Sequence, residues 1–489
     1  MAAHPFLENP VKHLLIGGQW TQPGSGTFLE SRNPANGDLL ATVADADAED
    51  VDRAVIAART AFDGAWAERT PADRQMALIR LADLVEKNGD DLARLDTLDM
   101  GSPLWRTQGS IGLIASILRY NAGLARTVHG TTPNISRRDM FAATIKEPMG
   151  VCAAIIPWNS PAWSAVLNIA PALAAGCTII VKPAEDGSLS PLLLGQLCLE
   201  AGIPSGVVNI VTGRGATAGA ALALHPGIDK ISFTGSTATG RMVLQSSAGN
   251  FKRVSLELGG KSPNIIFDDA DLEKAAATAV LAAFGNSGQV CSAGSRLFVQ
   301  RSVADDFAAR VVRISSAMRI GDGLTAGSEL GPLVSGRQLA RVIDYVQSAR
   351  REGATVMSGG SRLEGDAWDN GFFFAPTVLS NCRDEMTVVR EEVFGPVVSL
   401  LPFDEEAEVV ARANASPYGL GAGVWTRDMG RAQRMSRALQ AGSIWVNCYN
   451  ILDPAVPSGG YKASGIGREY GEHHIEEFLQ TKSVWMDGT

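Results

Sequence analysis

The sequence predicts an α/β protein built from two parallel-sheet domains in tandem, with a small arm beside them. Three observations carry that reading. From Gly150 onward, short continuous apolar runs alternate with helical stretches, the pattern of strands covered by helices on both faces. A second series of the same kind begins after Gly260. The length of 489 residues also exceeds what one ordinary hydrophobic core covers.

The elements follow in chain order. A strand-and-turn entry (LLIGGQW, then PGSG) leads into helical sequence, where Val51, Ala54, Val55, Ala58 and Phe62 repeat at the spacing of one helix face. A second helix starts at Thr70-Pro71, a cap followed by proline in the first turn, and stops at Asn88-Gly89. GVCAAIIPW is then a strand, residues 163–175 a helix ended by Gly176, and CTIIVKP the next strand. A helix over residues 192–201 precedes the strand VVNIV, and one over 217–224 precedes KISFTG. Past a boundary near LELGGKS come NIIFDD, a helix over 272–284, the strand SRLFVQ and a helix over 303–318. Residues 128–145 fit neither core and read as an extended, hairpin-like arm suited to packing on another subunit.

Composition narrows the function class. Hydrophobic content is 45% and charged content 19%, as in a well-folded globular chain. The net charge is −9 with Lys and Arg scattered, which argues against nucleic acid or an anionic membrane as the main partner. The start of the chain lacks the cationic, apolar and cleavage segments of a signal peptide. The longest apolar stretch, 164–181, is broken by Asn168, Pro171 and Gly176, so it reads as a buried helix and strand rather than a membrane span. Six cysteines without CxxC pairs or histidines at metal spacing indicate neither a disulfide framework nor a metal site, and a cytoplasmic protein is expected.

Five of the six thiols have apolar neighbours and read as core fillers. Cys291 is the exception, set among small polar residues in SGQVCSAGSR. A cysteine nucleophile works as thiolate and needs a carboxylate base, oxyanion donors and room for substrate. LELGGKSP offers Glu257 between leucines and ahead of two glycines, where burial raises its pKa toward that of a general base. A strand-edge glutamate in a salt bridge is the alternative. IIPWNSP ends a strand with Asn159, whose amide can donate to an oxyanion beside the Cys291 N–H.

The cofactor signals are less direct. GRGATA (213–218) follows a strand and reads as GxGxxA, but the next strand ends FTGS without the expected acid. A pyrophosphate turn and a plain strand-to-helix turn both remain open there. TIIVKPAE supplies Lys182, able to reach ribose or phosphate, and Glu185, able to accept both ribose hydroxyls. That carboxylate repels a 2′-phosphate and so favours NAD over NADP, with a solvated turn as the alternative. FTGSTATG opens a helix with a turn suited to pyrophosphate.

Taken in order, IIPWN, KPAE, FTGST, LELGGKSP, GQVCSAGSR, EEVFGPV and PSGGYKASGIGRE make the sequence resemble the NAD(P)-dependent aldehyde dehydrogenase superfamily over essentially its whole length. The resemblance implies an aldehyde dehydrogenase-like fold. Residues 1–122 and 147–257 would form a Rossmann-like NAD-binding domain, 258–462 the catalytic domain, and 123–146 with 463–489 an oligomerisation arm and tail of a homodimer or homotetramer. Cys291 would attack an aldehyde to give a thiohemiacetal whose oxyanion is held by Asn159 and the Cys291 N–H. After hydride transfer to nicotinamide, Glu257 would activate water to release the acid, and Glu469 matches a second carboxylate linked to proton relay. A glutamate at 257 favours hydrolysis over transfer to coenzyme A.

The same resemblance implies cofactor contacts at Ile156, Pro157 and Trp158, at Lys182, Glu185 and Gly215, and at Phe233, Gly235 and Ser236. It places Glu392 at the nicotinamide ribose and Phe394 beside the nicotinamide, with no metal. The sequence departs from the family in its pocket stretches, where bulky residues are replaced in NSPAWS, at Phe284-Gly285 and in PSGG. A widened substrate pocket involving Ser160, Trp163, Ser164, Gly285 and Leu452 is expected, for a bulky aromatic or apolar aldehyde. Refilling by Trp163 and Leu452 is the alternative. No Lys or Arg in these stretches waits for a substrate carboxylate, which disfavours semialdehyde acids and leaves Arg106, Arg119 and Arg296 unplaced. The competing functions are a non-redox cysteine hydrolase or thioesterase, and a catalytically idle structural protein on the same fold. The first leaves the ribose-binding carboxylates without a role, and the complete motif set opposes the second.

Overall fold

The computed structural model describes residues 4–488. Its first large sheet has five parallel strands in the order Val208–Ile210, Thr178–Lys182, Val151–Ile155, Lys230–Thr234 and Arg253–Glu257. The chain starts in the middle, runs outward one way, then returns to extend the other side. Side chains alternate as the pleat requires. Cys152, Ala154, Ile179 and Val181 face the helices Pro161–Ala175 and Leu189–Glu200, while Val151, Ala153, Ile155 and Ile180 face Val51, Ala54, Val55 and Ala58 of the helix Ala48–Asp63. Both faces are therefore dry, and each large aliphatic side chain so buried contributes about 1.5–3 kcal/mol.

The second sheet has six parallel strands, Thr377–Ser380, Val397–Phe403, Arg296–Gln300, Pro263–Ile266, Gly421–Trp425 and Ser443–Val446, with Thr355–Ser358 antiparallel at one edge. Ile265, Phe298 and Leu401 pack on Leu339 and Val342 from one side, and Ile266, Leu297 and Leu400 pack on Ala279, Phe284 and Phe307 from the other.

Two local expectations are corrected. Residues 217–224 are not one α-helix: Gly215–Gly219 is a π-helical turn that leads into a short helix, Ala220–Leu224. The tail strand Leu479–Asp487 pairs antiparallel with Met140–Pro148 of the same chain from end to end. Met149 N donates to Phe478 O at 2.9 Å, continuing the pairing just past the C-terminal end of Met140–Pro148. Cys448 is not a core filler but is partly accessible, as Cys291 is; the other four thiols are buried.

Residues 463–489, assigned above to arm and tail, also enter the first domain. Gly465–Ile466 pairs antiparallel with the Glu257 strand, with Gly465 opposite Glu257, and Tyr470, Ile475 and Phe478 join the first core.

Candidate active site

The two sheets meet across a crevice. The first presents the C-terminal ends of its strands and the second the segments that lead into its strands. Cys291 lies on the connection between the helix Leu272–Phe284 and the strand Arg296–Gln300. That connection makes an abrupt turn, with Asn286, Ser287 and Gly288 at φ of 53°, 56° and 71°. Two non-glycine residues in left-handed geometry are costly and persist only where the surroundings fix them. Here Asn286 Nδ2 donates to Asn159 O at 3.1 Å, Ser287 Oγ donates to Gly331 O at 2.7 Å, and Gln289 Oε1 accepts the Val334 N–H at 2.9 Å. Sequence reading missed Asn286 and Gln289, although the run Gly-Asn-Ser-Gly is a turn signal in its own right.

Asn159 follows the Val151–Ile155 strand and meets the same loop. Its Nδ2 donates one hydrogen to Gln289 O at 3.0 Å, which fixes the amide and leaves its second N–H free for another acceptor. Glu257 ends the outermost parallel strand of the first sheet, and the two glycines after it are a packing requirement. A Cβ on Gly260 would sit 2.5 Å from the Cys291 carbonyl oxygen, and one on Gly259 would overlap the Glu392 carboxylate. Glu392 Oε1 accepts the Gly260 N–H at 3.1 Å.

Electrostatics set the protonation states. Glu257 Oε1 is shut off from solvent and has no hydrogen-bond partner among the described residues. Burial, reinforced by the neighbouring Glu469, holds the Glu257 carboxyl well above the ordinary range. Burial likewise pushes Glu469 up to about 7 and Glu392 up to about 7. Two enclosed carboxylates side by side do not both ionise readily, so Glu257 and Glu469 titrate as a pair. The Cys291 thiol is pushed up to about 12, first by burial and then by Glu392, Glu257 and Glu469.

Cys291, Asn159, Glu257 and Glu469 border one cavity of about 340 Å³, and Ser160, Trp163, Ser164, Gly285 and Leu452 border it too. A Cβ added at Gly285 would meet nothing within 4 Å, so space stands open there. Trp163 borders the same cavity, and its Nε1 donates to Tyr470 Oη at 2.8 Å. Leu167, Leu281, Val290 and Trp445 complete the apolar wall, and these went unnoticed in the sequence because nothing local distinguishes a pocket leucine from a core leucine. The cavity also contains Arg106. Arg119 instead pairs with Asp83 and Glu86 on the surface, and Arg296 is buried on the carbonyls of Lys261 and Ala413.

The remaining predicted residues gather at the C-terminal ends of the first sheet, where the strand order reverses and a crevice for ligands forms. Ile156, Pro157 and Trp158 follow one central strand; Phe233, Gly235 and Ser236 end the other, with Ser236 Oγ capping the helix Thr237–Ser246 through Thr239 N. Lys182 ends a third strand, buried, its Nζ donating to Pro183 O and Gly213 O at 2.7 Å. Glu185 Oε1 accepts the Gly215 N–H at 2.8 Å, tying KPAE to GRGATA. Phe394, at φ 58°, stands edge-to-face with Trp158 at 5.3 Å. A dinucleotide fits this donor set: a capped helix start for pyrophosphate, carboxylates at two positions for riboses and an aromatic pair at the crevice. Among the described residues no cluster of three or more metal-ligating side chains occurs, and no helix is long and apolar enough to cross a membrane.

Comparison with known proteins places this geometry in context. The model of the aldehyde dehydrogenase family matches residues 20–484. The chain is 45% identical to the mitochondrial benzaldehyde dehydrogenase of Antirrhinum majus, over 99% of this chain and 92% of that one. It is also 45% identical to the phenylacetaldehyde dehydrogenase of Pseudomonas fluorescens, over 96% of this chain and 95% of that one. The structure of the NAD+ complex of an aldehyde dehydrogenase from Bacillus cereus superposes with a TM-score of 0.97 at 45% identity, covering 99% of this chain and 98% of the other.

Proposed function

The chain belongs to the aldehyde dehydrogenase family, and on that footing we propose that it oxidises an aldehyde to the carboxylic acid with NAD, through a thioester on Cys291. The reading is carried by one observation: Cys291, Asn159 and Glu257, from three separate segments, border one cavity.

Cys291 Sγ attacks the aldehyde carbon. The oxyanion so formed receives the free N–H of Asn159 Nδ2 and the backbone N–H of Cys291, and the hydrogen bond to Gln289 O holds that amide in place beforehand. Bound NAD supplies the acceptor for the hydride and, through its cationic ring, a charge that favours the thiolate. Glu257, which borders the cavity and whose carboxyl burial holds well above the ordinary range, takes a proton from the water that attacks the thioester. Glu469 beside it receives that proton onward. In sum, aldehyde, NAD+ and water yield the acid, NADH and protons.

Glu185 favours NAD over NADP, since a fixed carboxylate next to the adenosine ribose repels a 2′-phosphate. The open space at Gly285 and the apolar wall support an aromatic or long apolar aldehyde, a choice in keeping with the two relatives named for benzaldehyde and phenylacetaldehyde. Residues 1–122 with 147–257 serve the cofactor and 258–462 carry the nucleophile. The ribbon of Met140–Pro148 and Leu479–Asp487, with Phe141, Ile145, Trp485 and Met486 exposed, serves subunit contact in a dimer or tetramer. Six free cysteines suit the reducing cytoplasm. The test is direct: protein, NAD and a panel of aldehydes are mixed and NADH is followed. Absence of NADH with every aldehyde overturns the proposal.

A further inference from the structure

Arg106 is the only cationic side chain bordering the cavity of Cys291 among the described residues. It belongs to the first turn of the helix Leu104–Leu124, where the helix dipole disfavours a positive charge. Burial draws its pKa down to about 10. A guanidinium in such a place normally has carboxylates or carbonyls to meet its five N–H groups. Arg119 and Arg296 have them, as described above. Arg106 has one long hydrogen bond, from its Nη1 to Ser102 Oγ at 3.4 Å. The acid that acts on it, Asp96, lies outside ion-pair distance and is bonded to Ser190 Oγ instead.

Its position is equally telling. Arg106 borders both the cavity of about 340 Å³ and an adjoining cavity of about 320 Å³, and the two share Ser160, Trp163, Asn450 and Leu452 as lining. Cys291, Glu257 and Glu469 border the first and not the second. A molecule with its carbonyl at Cys291 that extends toward the second cavity meets Trp163 and Leu452 as apolar walls and Arg106 as the cation, since all three line both cavities.

We infer that Arg106 is a substrate anchor, and that the aldehyde carries a carboxylate at the end remote from its carbonyl, with an apolar ring or chain between. The inference rests on the reading that this cavity oxidises an aldehyde at Cys291. It goes against the pocket motifs, which disfavoured semialdehyde acids but left Arg106, upstream of all of them, unplaced. The product would be a dicarboxylate.

The experiment uses the full-length protein with NAD and two matched pairs, 4-formylbenzoate and 5-oxopentanoate, each against its methyl ester. In wild type, kcat/KM for at least one free acid should exceed that of its ester by roughly 10- to 100-fold, the range of a charge-assisted hydrogen bond. Arg106→Met should collapse that ratio, chiefly through KM of the acid, and Arg106→Lys should restore part of it. Esters equal to or better than acids in wild type, or an acid-to-ester ratio untouched by Arg106→Met, overturns the inference while leaving aldehyde oxidation standing. Absence of NADH from all four compounds, and from the wider aldehyde panel, removes the underlying reading and this inference with it.

Discussion

The side-chain amide of Asn159 donates to the backbone carbonyl of Gln289 at 3.0 Å, joining the end of one parallel sheet to the loop that carries Cys291. Asn286 returns the connection with its own amide on Asn159 O. The oxyanion donor and the nucleophile are thereby fixed to each other and not merely to their own domains. Asn159→Ala removes both the donor and the tie, so kcat should fall about 100- to 1,000-fold. A steady-state comparison checks it, and a loss below tenfold would count against the assignment.

Glu257→Gln keeps the shape of the side chain and removes the base. The variant should release one NADH per active site in a burst and then stall as an acyl-enzyme. Rapid-mixing absorbance and the intact mass of the trapped protein read the two features; sustained turnover at the wild-type rate would displace Glu257 from its role.

The same substitution bears on the thiol. Because Glu257 and Glu469 add to burial in raising Cys291 to about 12, the neutral amide at 257 should lower the thiol pKa. Alkylation of Cys291 by iodoacetamide at pH 8, followed residue by residue by mass spectrometry, should be faster in Glu257→Gln than in wild type.

Protonation of the buried pair also couples to folding. Glu469 titrates at about 7 in the native protein against an ordinary 4.5, so the folded state binds the extra proton between those values. Its stabilising share is fully present below pH 4.5 and is lost as pH rises through 7. The urea midpoint of Glu469→Gln should therefore decline less between pH 5 and 8 than that of wild type. Activity runs the other way, since a general base acts deprotonated: kcat should climb from pH 6 to 9.

Gly285→Phe tests the open wall. The glycine has φ of −49° and an empty surrounding, so the ring enters without backbone strain. Selectivity, as kcat/KM for benzaldehyde over acetaldehyde, should drop at least about tenfold, since the added ring occupies the space an aromatic substrate needs. An unchanged ratio would mean that substrate does not use this side of the cavity.

The sequence made much of this legible, for physical reasons. Strand and helix periodicity marked both parallel sheets, because doubly covered strands are continuously apolar. Residues spaced far apart in the chain, such as Asn159, Glu257 and Cys291, announced themselves by chemistry misplaced in their surroundings: an amide at a strand end, an acid between leucines, a thiol among glycines. What stayed hidden depended on approach in space. Arg106 looks like any helical arginine until its missing partners are seen. Asn286 and Gln289 act through hydrogen bonds to segments remote in sequence, and the tail strand finds its partner in residues 140–148 only once the chain has closed on itself.

The pairing of Gly465 with Glu257 has a consequence for how the protein is made. The strand that ends in the base acquires its outer neighbour, and the cavity acquires Glu469 and Tyr470, only from residues 465–470, which are translated after the strands of both large parallel sheets. A nascent chain still threaded in the ribosome can assemble the central strands of both sheets but not a closed pocket. Catalytic competence must await the synthesis of residues 465–470, and until then the edge at Glu257 is an unpaired strand that chaperones, or a second nascent copy, can meet first.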